Sequence, residues 1–168
     1  MTYSEKLNII ISSDIYNMII RKCHDFEYLV SIEIENKNNL TKSIVDVKIS
    51  DYDLLYALIF IEETQSYELQ GFTLNGTYFG KYCGNISDFQ ISASGKIIVG
   101  DINKPILEVL DPVNFTQLYY KMFPIKGDNK YYQFLYDRPN IIYFGVKDKD
   151  STRIKVLFLD SDDEVNFM

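Results

Sequence analysis

Cys23, His24 and Asp25 stand in a row, and thiol, imidazole and carboxylate are the groups of a nucleophile–base pair or a metal site. Their spacing works against both. Consecutive residues in a strand point to opposite faces, so Cys23 and His24 cannot converge on one atom. The reading here is a strand-end histidine at a turn. The only other cysteine, Cys83, lies 60 residues away, no C-x-x-C pair occurs, and one histidine is too few for a zinc set.

Carboxylates are the next candidates for chemistry. Asp46 and Asp88 hold the same position in a repeat, which would suit acid/base work only if they met. Equivalent residues of structural repeats packed side by side lie too far apart for a dyad, so each is expected to cap a turn or face a neighbouring strand. A ring of such carboxylates at one rim would otherwise suit a cationic peptide. Asp160–Asp163 forms an acidic tail, with neither the turn glycine nor the closing bidentate Glu of a calcium loop. It reads as solvated, as do Ser12-Ser13-Asp14 and Asp148-Lys149-Asp150. No phosphate loop, G-x-S-x-G elbow, H-E-x-x-H or dinucleotide fingerprint occurs. The expectation is therefore no enzyme, with no catalytic, cofactor-binding or metal residue and no cofactor. Tyr119-Tyr120 and Tyr131-Tyr132 remain as recognition anchors, because exposed tyrosines are effective interface residues.

The elements that would position these groups are set by a repeat. Ser43–Ser50 reads SIVDVKIS and Asn85–Ser92, 42 residues later, reads NISDFQIS, with Ile44/Ile86, Asp46/Asp88, Ile49/Ile91 and Ser50/Ser92 identical. Both alternate apolar and polar, the mark of a strand with one buried face. Self-similarity at this period, made of strands, points to the four-stranded blade of a propeller.

One blade would hold strands at Ile44–Ser50, Leu54–Ile61, Tyr67–Leu74 and Tyr78–Tyr82, with turns at Asp51–Asp53 and Asn75-Gly76. The next would hold Ile86–Ser92, Ile97–Gly100, Ile106–Leu110 and Leu118–Phe123, with turns at Ala93–Lys96, Asp101–Pro105 and Asp111-Pro112. Partial blades flank them. Upstream are Leu7–Ile11, Met18–Cys23 and Leu29–Glu33, with no strand before them and a polar connection, Glu35–Leu40, after. Downstream are Tyr132–Tyr136, a turn at Asp137–Asn140, Ile141–Val146 and Arg153–Leu159. The fold class is all-β: a partial or small propeller of about three to four antiparallel blades, one segment over residues 1–168 (partial 7–34, whole 44–82 and 86–123, partial 132–160). Either the ring closes here with a borrowed strand, or the chain is an arc of a larger ring.

Composition fits this reading. Fourteen Tyr and eleven Phe with no Trp favour a pleated, half-buried backbone. Net charge is −7 without a Lys/Arg cluster, which sets the chain against nucleic acid. Lys6 is followed by only five residues before Ser12, too short for a signal peptide, and the apolar run Leu54–Ile61 falls far short of the ~20 residues that cross a bilayer. The expected location is cytoplasmic, peripheral to membranes only through partners.

Strands ending Leu110-Asp111 and Leu159-Asp160 stand where WD40 blades carry Trp-Asp, and the chain resembles a degenerate WD40 repeat protein. From Leu69 to Asp111, Thr73-Leu74-Asn75-Gly76, Ser92–Gly95 and Ile97-Ile98-Val99-Gly100 resemble the C-terminal WD40 region of BEACH-domain, neurobeachin-type proteins. That resemblance implies a scaffold for protein–protein interaction in vesicle trafficking and autophagy, its partners other proteins. The alternative is a truncated propeller whose partner supplies further blades, from the same or another chain.

Overall fold

In a computed structural model the chain folds as fifteen β-strands, with no helix among the described residues. The structure describes residues 1–34, 40–50, 52–92, 94–101, 106–122, 130–138, 141–147 and 152–158, with side chains as far as residue 120, Ser87 excepted. The first sheet holds β1 (Thr2–Ser4), β2 (Ile9–Ser13), β3 (Asn17–Lys22) and β4 (Tyr28–Glu33). The second holds β5 (Lys42–Ile49), β6 (Leu54–Ile61), β7 (Ser66–Thr73) and β8 (Tyr78–Gly84). The third holds β9 (Ile86–Ile91), β10 (Ile97–Asp101), β11 (Ile106–Leu110) and β12 (Gln117–Met122). The fourth holds β13 (Lys130–Arg138), β14 (Ile141–Lys147) and β15 (Thr152–Phe158). Each is an antiparallel meander in chain order, the blade-like unit expected. The chain divides into two compact units, Met1–Gly84 with Val113–Phe115, and Asn85–Pro112 with Thr116–Met168.

Two expectations need correction. The first sheet is whole rather than partial, because β1 precedes it and pairs Tyr3 with Ile10. Three residues are too few to show a period, so the sequence pattern hides this strand. The Ser4 hydroxyl accepts the Leu7 N–H at 3.3 Å and tightens the turn that returns the chain into β2. In the fourth sheet β13 runs to Arg138, past the expected Tyr136, through two register shifts that absorb extra residues. The connection at 35–39, the turn residues 102–105 and 139–140, and any strand after β15 lie outside the described residues.

Seven of the described turns share one device. Asn8, Phe26, Asp53, Gln65, Gly76, Gly95 and Phe115 all have positive φ, and each stands one or two residues before the next strand. A left-handed residue closing a short loop makes the bulge that returns the chain at the twist of the strands. In the repeat, side chains complete it. Ser50 N–H donates to the Leu54 carbonyl at 2.9 Å and its hydroxyl accepts Leu54 N–H at 3.3 Å. Ser92 does the same with Lys96 at 2.9 and 3.0 Å, and Thr73 with Thr77 at 2.9 and 3.1 Å.

The repeat also explains Asp46 and Asp88. In both sheets the register slips between the first two strands, at Ile44/Asp46 in one and Gly100/Asp101 in the other, leaving Val45 and Ser87 unpaired. Each aspartate follows its bulge and accepts the next backbone N–H, of Val47 at 2.8 Å and Phe89 at 2.7 Å. Each carboxylate thus bonds the backbone directly beside its bulge.

The core of the first unit lies between its two sheets. Ile9, Ile11, Met18, Ile20 and Ile32 meet Val47, Leu55, Ala57, Ile59 and Phe72, all buried. The other face of β6 is covered too, which is why LLYALIFI is apolar without alternation. There Tyr56 meets Phe79 and Phe115 edge-on, with centroids 6.2 and 6.1 Å apart. Gly71 lies beneath these rings: a Cβ there would overlap Phe79 and stand 2.9 Å from Phe115 Cζ. Gly71→Ala is expected to cost about 1–3 kcal/mol by overpacking. Gly76→Ala, at φ +89°, should cost about 1 kcal/mol for left-handed backbone. Urea unfolding of both variants measures this, with Ala at exposed Thr64 as control.

Candidate functional site

β7 places Glu68, Gln70 and Phe72 on one face, opposite Ile59, Ala57 and Leu55 of β6. That is the face packed against the first sheet, so a carboxylate enters a dry seam. The Glu68 side chain is 2% exposed, and its Oε1 accepts from Lys42 Nζ at 2.7 Å and from Gln70 Nε2 at 2.5 Å, while Oε2 accepts from Lys81 Nζ at 2.8 Å. Burial pushes the carboxyl pKa up, but the bonds from Lys42, Lys81 and Gln70 outweigh it and hold Glu68 below the ordinary range. The bond to Glu68 raises the pKa of Lys81. Glu68 is thus fully satisfied and fixed.

Beside this clamp opens a cleft of about 500 Å³. One wall is the edge of β4 with the residue that follows it, Ser31–Ile34, and the other carries Lys42, Gln70, Phe72, Tyr78 and Lys81. The sequence reading missed this site. Its one signal was a pair of polar residues two apart in an otherwise apolar strand, which reads equally well as a solvent face.

A second surface is formed by turns at one end of the first unit. Lys6, in the β1–β2 turn, sits 5.9 Å over the ring of Tyr52 in the β5–β6 turn. The β3–β4 turn joins them, because Cys23 N–H donates to the Asn8 carbonyl at 3.0 Å. Tyr3, Phe26 and Tyr52 are more than half exposed here, and Tyr3, Lys6 and Ile49 line a shallow cleft of about 440 Å³.

The candidates from sequence fall elsewhere. His24 is an exposed turn residue, 3.0 Å from Asp25 and 3.5 Å from the Asn8 amide, and Cys23 is a free, part-buried thiol. Asp14 accepts the backbone N–H groups of Tyr16 and Asn17 at 2.8 and 2.7 Å, which holds its carboxyl below the ordinary range and makes it a turn cap. Tyr119 and Tyr120, on β12, are both exposed, and Lys96 lies 5.4 Å over the Tyr119 ring. Tyr131 and Tyr132 lie in β13, their side chains outside the description; Asp148–Asp150 and Asp160–Asp163 lie outside it altogether. No described helix is long and apolar enough to cross a membrane.

No family model matches the chain, and no curated protein does. Among solved structures it resembles the 1.35 Å crystal structure of a protein of unknown function from Bacteroides caccae, with a TM-score of 0.52 at 11% identity. The match covers 89% of this chain and 56% of that one, so this chain spans little more than half its length. At that identity the likeness concerns the fold alone.

Removing Glu68 leaves two ammonium groups facing each other, Lys42 nearly buried. Glu68→Ala should cost about 3–5 kcal/mol, whereas Lys42→Met, Glu68→Leu and Lys81→Met together should be nearly neutral. The pH dependence follows from the shifts. With its pKa lowered in the fold, Glu68 stabilises above the unfolded carboxyl value of about 4.3, and this is lost as pH falls through the folded value. Lys81, with its pKa raised, stabilises below the unfolded ammonium value of about 10.4, and this is lost as pH rises through the folded value. Urea midpoints measured from pH 2 to 11 should fall at both ends, and Glu68→Gln should flatten both.

Proposed function

We infer that the chain is a non-enzymatic protein-interaction platform of WD40 type, serving a BEACH-type trafficking scaffold in the cytoplasm. The observation that carries this reading is the end surface of the first unit, where Tyr3 of β1 and Phe26 and Tyr52 of the neighbouring turns stand exposed on backbone held by hydrogen bonds. Aromatic side chains on rigid supports give large contact area at small entropic cost, the usual make-up of a recognition hot spot. The trafficking assignment draws on the resemblance of Leu69–Asp111 alone.

A second reading is that of an arc completed by strands from elsewhere. Light scattering after size-exclusion separates the two: a monodisperse monomer opposes the second reading.

Capture from cytosol on immobilised protein is expected to enrich vesicle or autophagy proteins. Replacing Tyr3, Phe26 and Tyr52 together by Ser should reduce that enrichment about tenfold or more with an unchanged far-UV spectrum. Recovery of chaperones alone would overturn the reading.

A further inference from the structure

The cleft beside the Glu68 clamp has an unusual wall. Four consecutive residues, Ser31–Ile34, line it. Successive side chains of a strand point to opposite faces, so four in a row line a cavity only where the strand's edge faces it. β4 is the outer strand of its sheet and, among the described residues, pairs with β3 alone. The phase of that pairing is known. Ile34 N–H donates to the Tyr16 carbonyl at 2.9 Å, and Ile32 and Met18 are opposite partners in the same register. Hydrogen-bonded pairs alternate along an antiparallel ladder, so the N–H and C=O groups of Ser31 and Glu33 point outward, into the cleft: two donors and two acceptors at the spacing of one more strand.

The facing wall sets the occupant's side chains. A strand added to β4 would alternate between residues directed like buried Ile32, toward the second sheet, and residues directed like exposed Ser31 and Glu33. The first kind meets Lys81, whose ammonium is 45% exposed and, among the described residues, gives one hydrogen bond, to Glu68. The second kind lies beside the Glu33 carboxylate, which is exposed and has no partner among the described residues. We propose that β4 captures an extended peptide segment of a partner protein by strand addition, with an acidic side chain placed on Lys81 and basic side chains on the alternate positions beside Glu33. This goes beyond the platform reading, since it names a site away from Tyr3, Phe26 and Tyr52 and does not depend on them.

The test is to pan a displayed library of random heptapeptides against the full chain, then measure enriched peptides by fluorescence polarisation. Enriched sequences should alternate acidic with basic residues. N-methylation of alternate backbone nitrogens, on the edge that pairs with β4, should weaken binding about tenfold or more, and Lys81→Met should do the same. Glu33→Lys lies outside the clamp, so it leaves folding intact and should reverse the preference at outward positions from basic to acidic. The Tyr3, Phe26 and Tyr52 variant should bind the peptides as the parent does, which separates failure here from failure of the platform reading. An unpatterned selection, binding indifferent to N-methylation, or Glu33→Lys without effect would overturn the proposal. So would a concentration-dependent dimer abolished by Glu33→Pro, because the edge would then belong to a second copy.

Discussion

A sheet one strand thick has two faces and can keep neither dry by itself. The first unit meets this constraint with an apolar seam, in which Ile11, Met18, Ile20 and Ile32 face Leu55, Ala57, Ile59 and Phe72. Each large side chain buried there contributes about 1.5–3 kcal/mol, so the seam outweighs any single hydrogen bond or ion pair in the unit. It also makes Glu68 tolerable only when fully paired. On a solvated face that carboxylate would need no partners; inside the seam it takes three.

The strands were legible because two local signals agreed. Alternation gave Ile44–Ser50 and Ile86–Ser92, and Asn75-Gly76 and Ser94-Gly95 marked the turns that follow or link strands. Where either signal was weak, the reading faltered. β1 is too short to alternate, and the turns closed by Phe26, Gln65 and Phe115 carry no glycine to announce their left-handed backbone.

The candidate sites were less legible, and the reason is distance along the chain. Lys42, Glu68 and Lys81 belong to three different strands, and nothing within β7 tells a buried Glu68 from a solvated one. That is decided by the first sheet lying opposite. Cys23, His24 and Asp25, by contrast, drew attention by proximity in sequence, although the turn holding them leaves His24 in solvent. Asp46 and Asp88 fall between these cases. Their recurrence was visible, but its cause, a ladder slip beside each, is a backbone event that residue types do not spell out.

The paired bulges and serine-closed turns have a bearing on how such a chain changes over generations. Each is completed by atoms of its own copy: Asp46 with Val47, Ser50 with Leu54, and their counterparts 42 residues on. A segment that carries its own folding instructions remains intact when a gene duplicates or drops it whole. The four identities shared by the two copies, Ile44/Ile86, Asp46/Asp88, Ile49/Ile91 and Ser50/Ser92, include both residues that bond the backbone in this way.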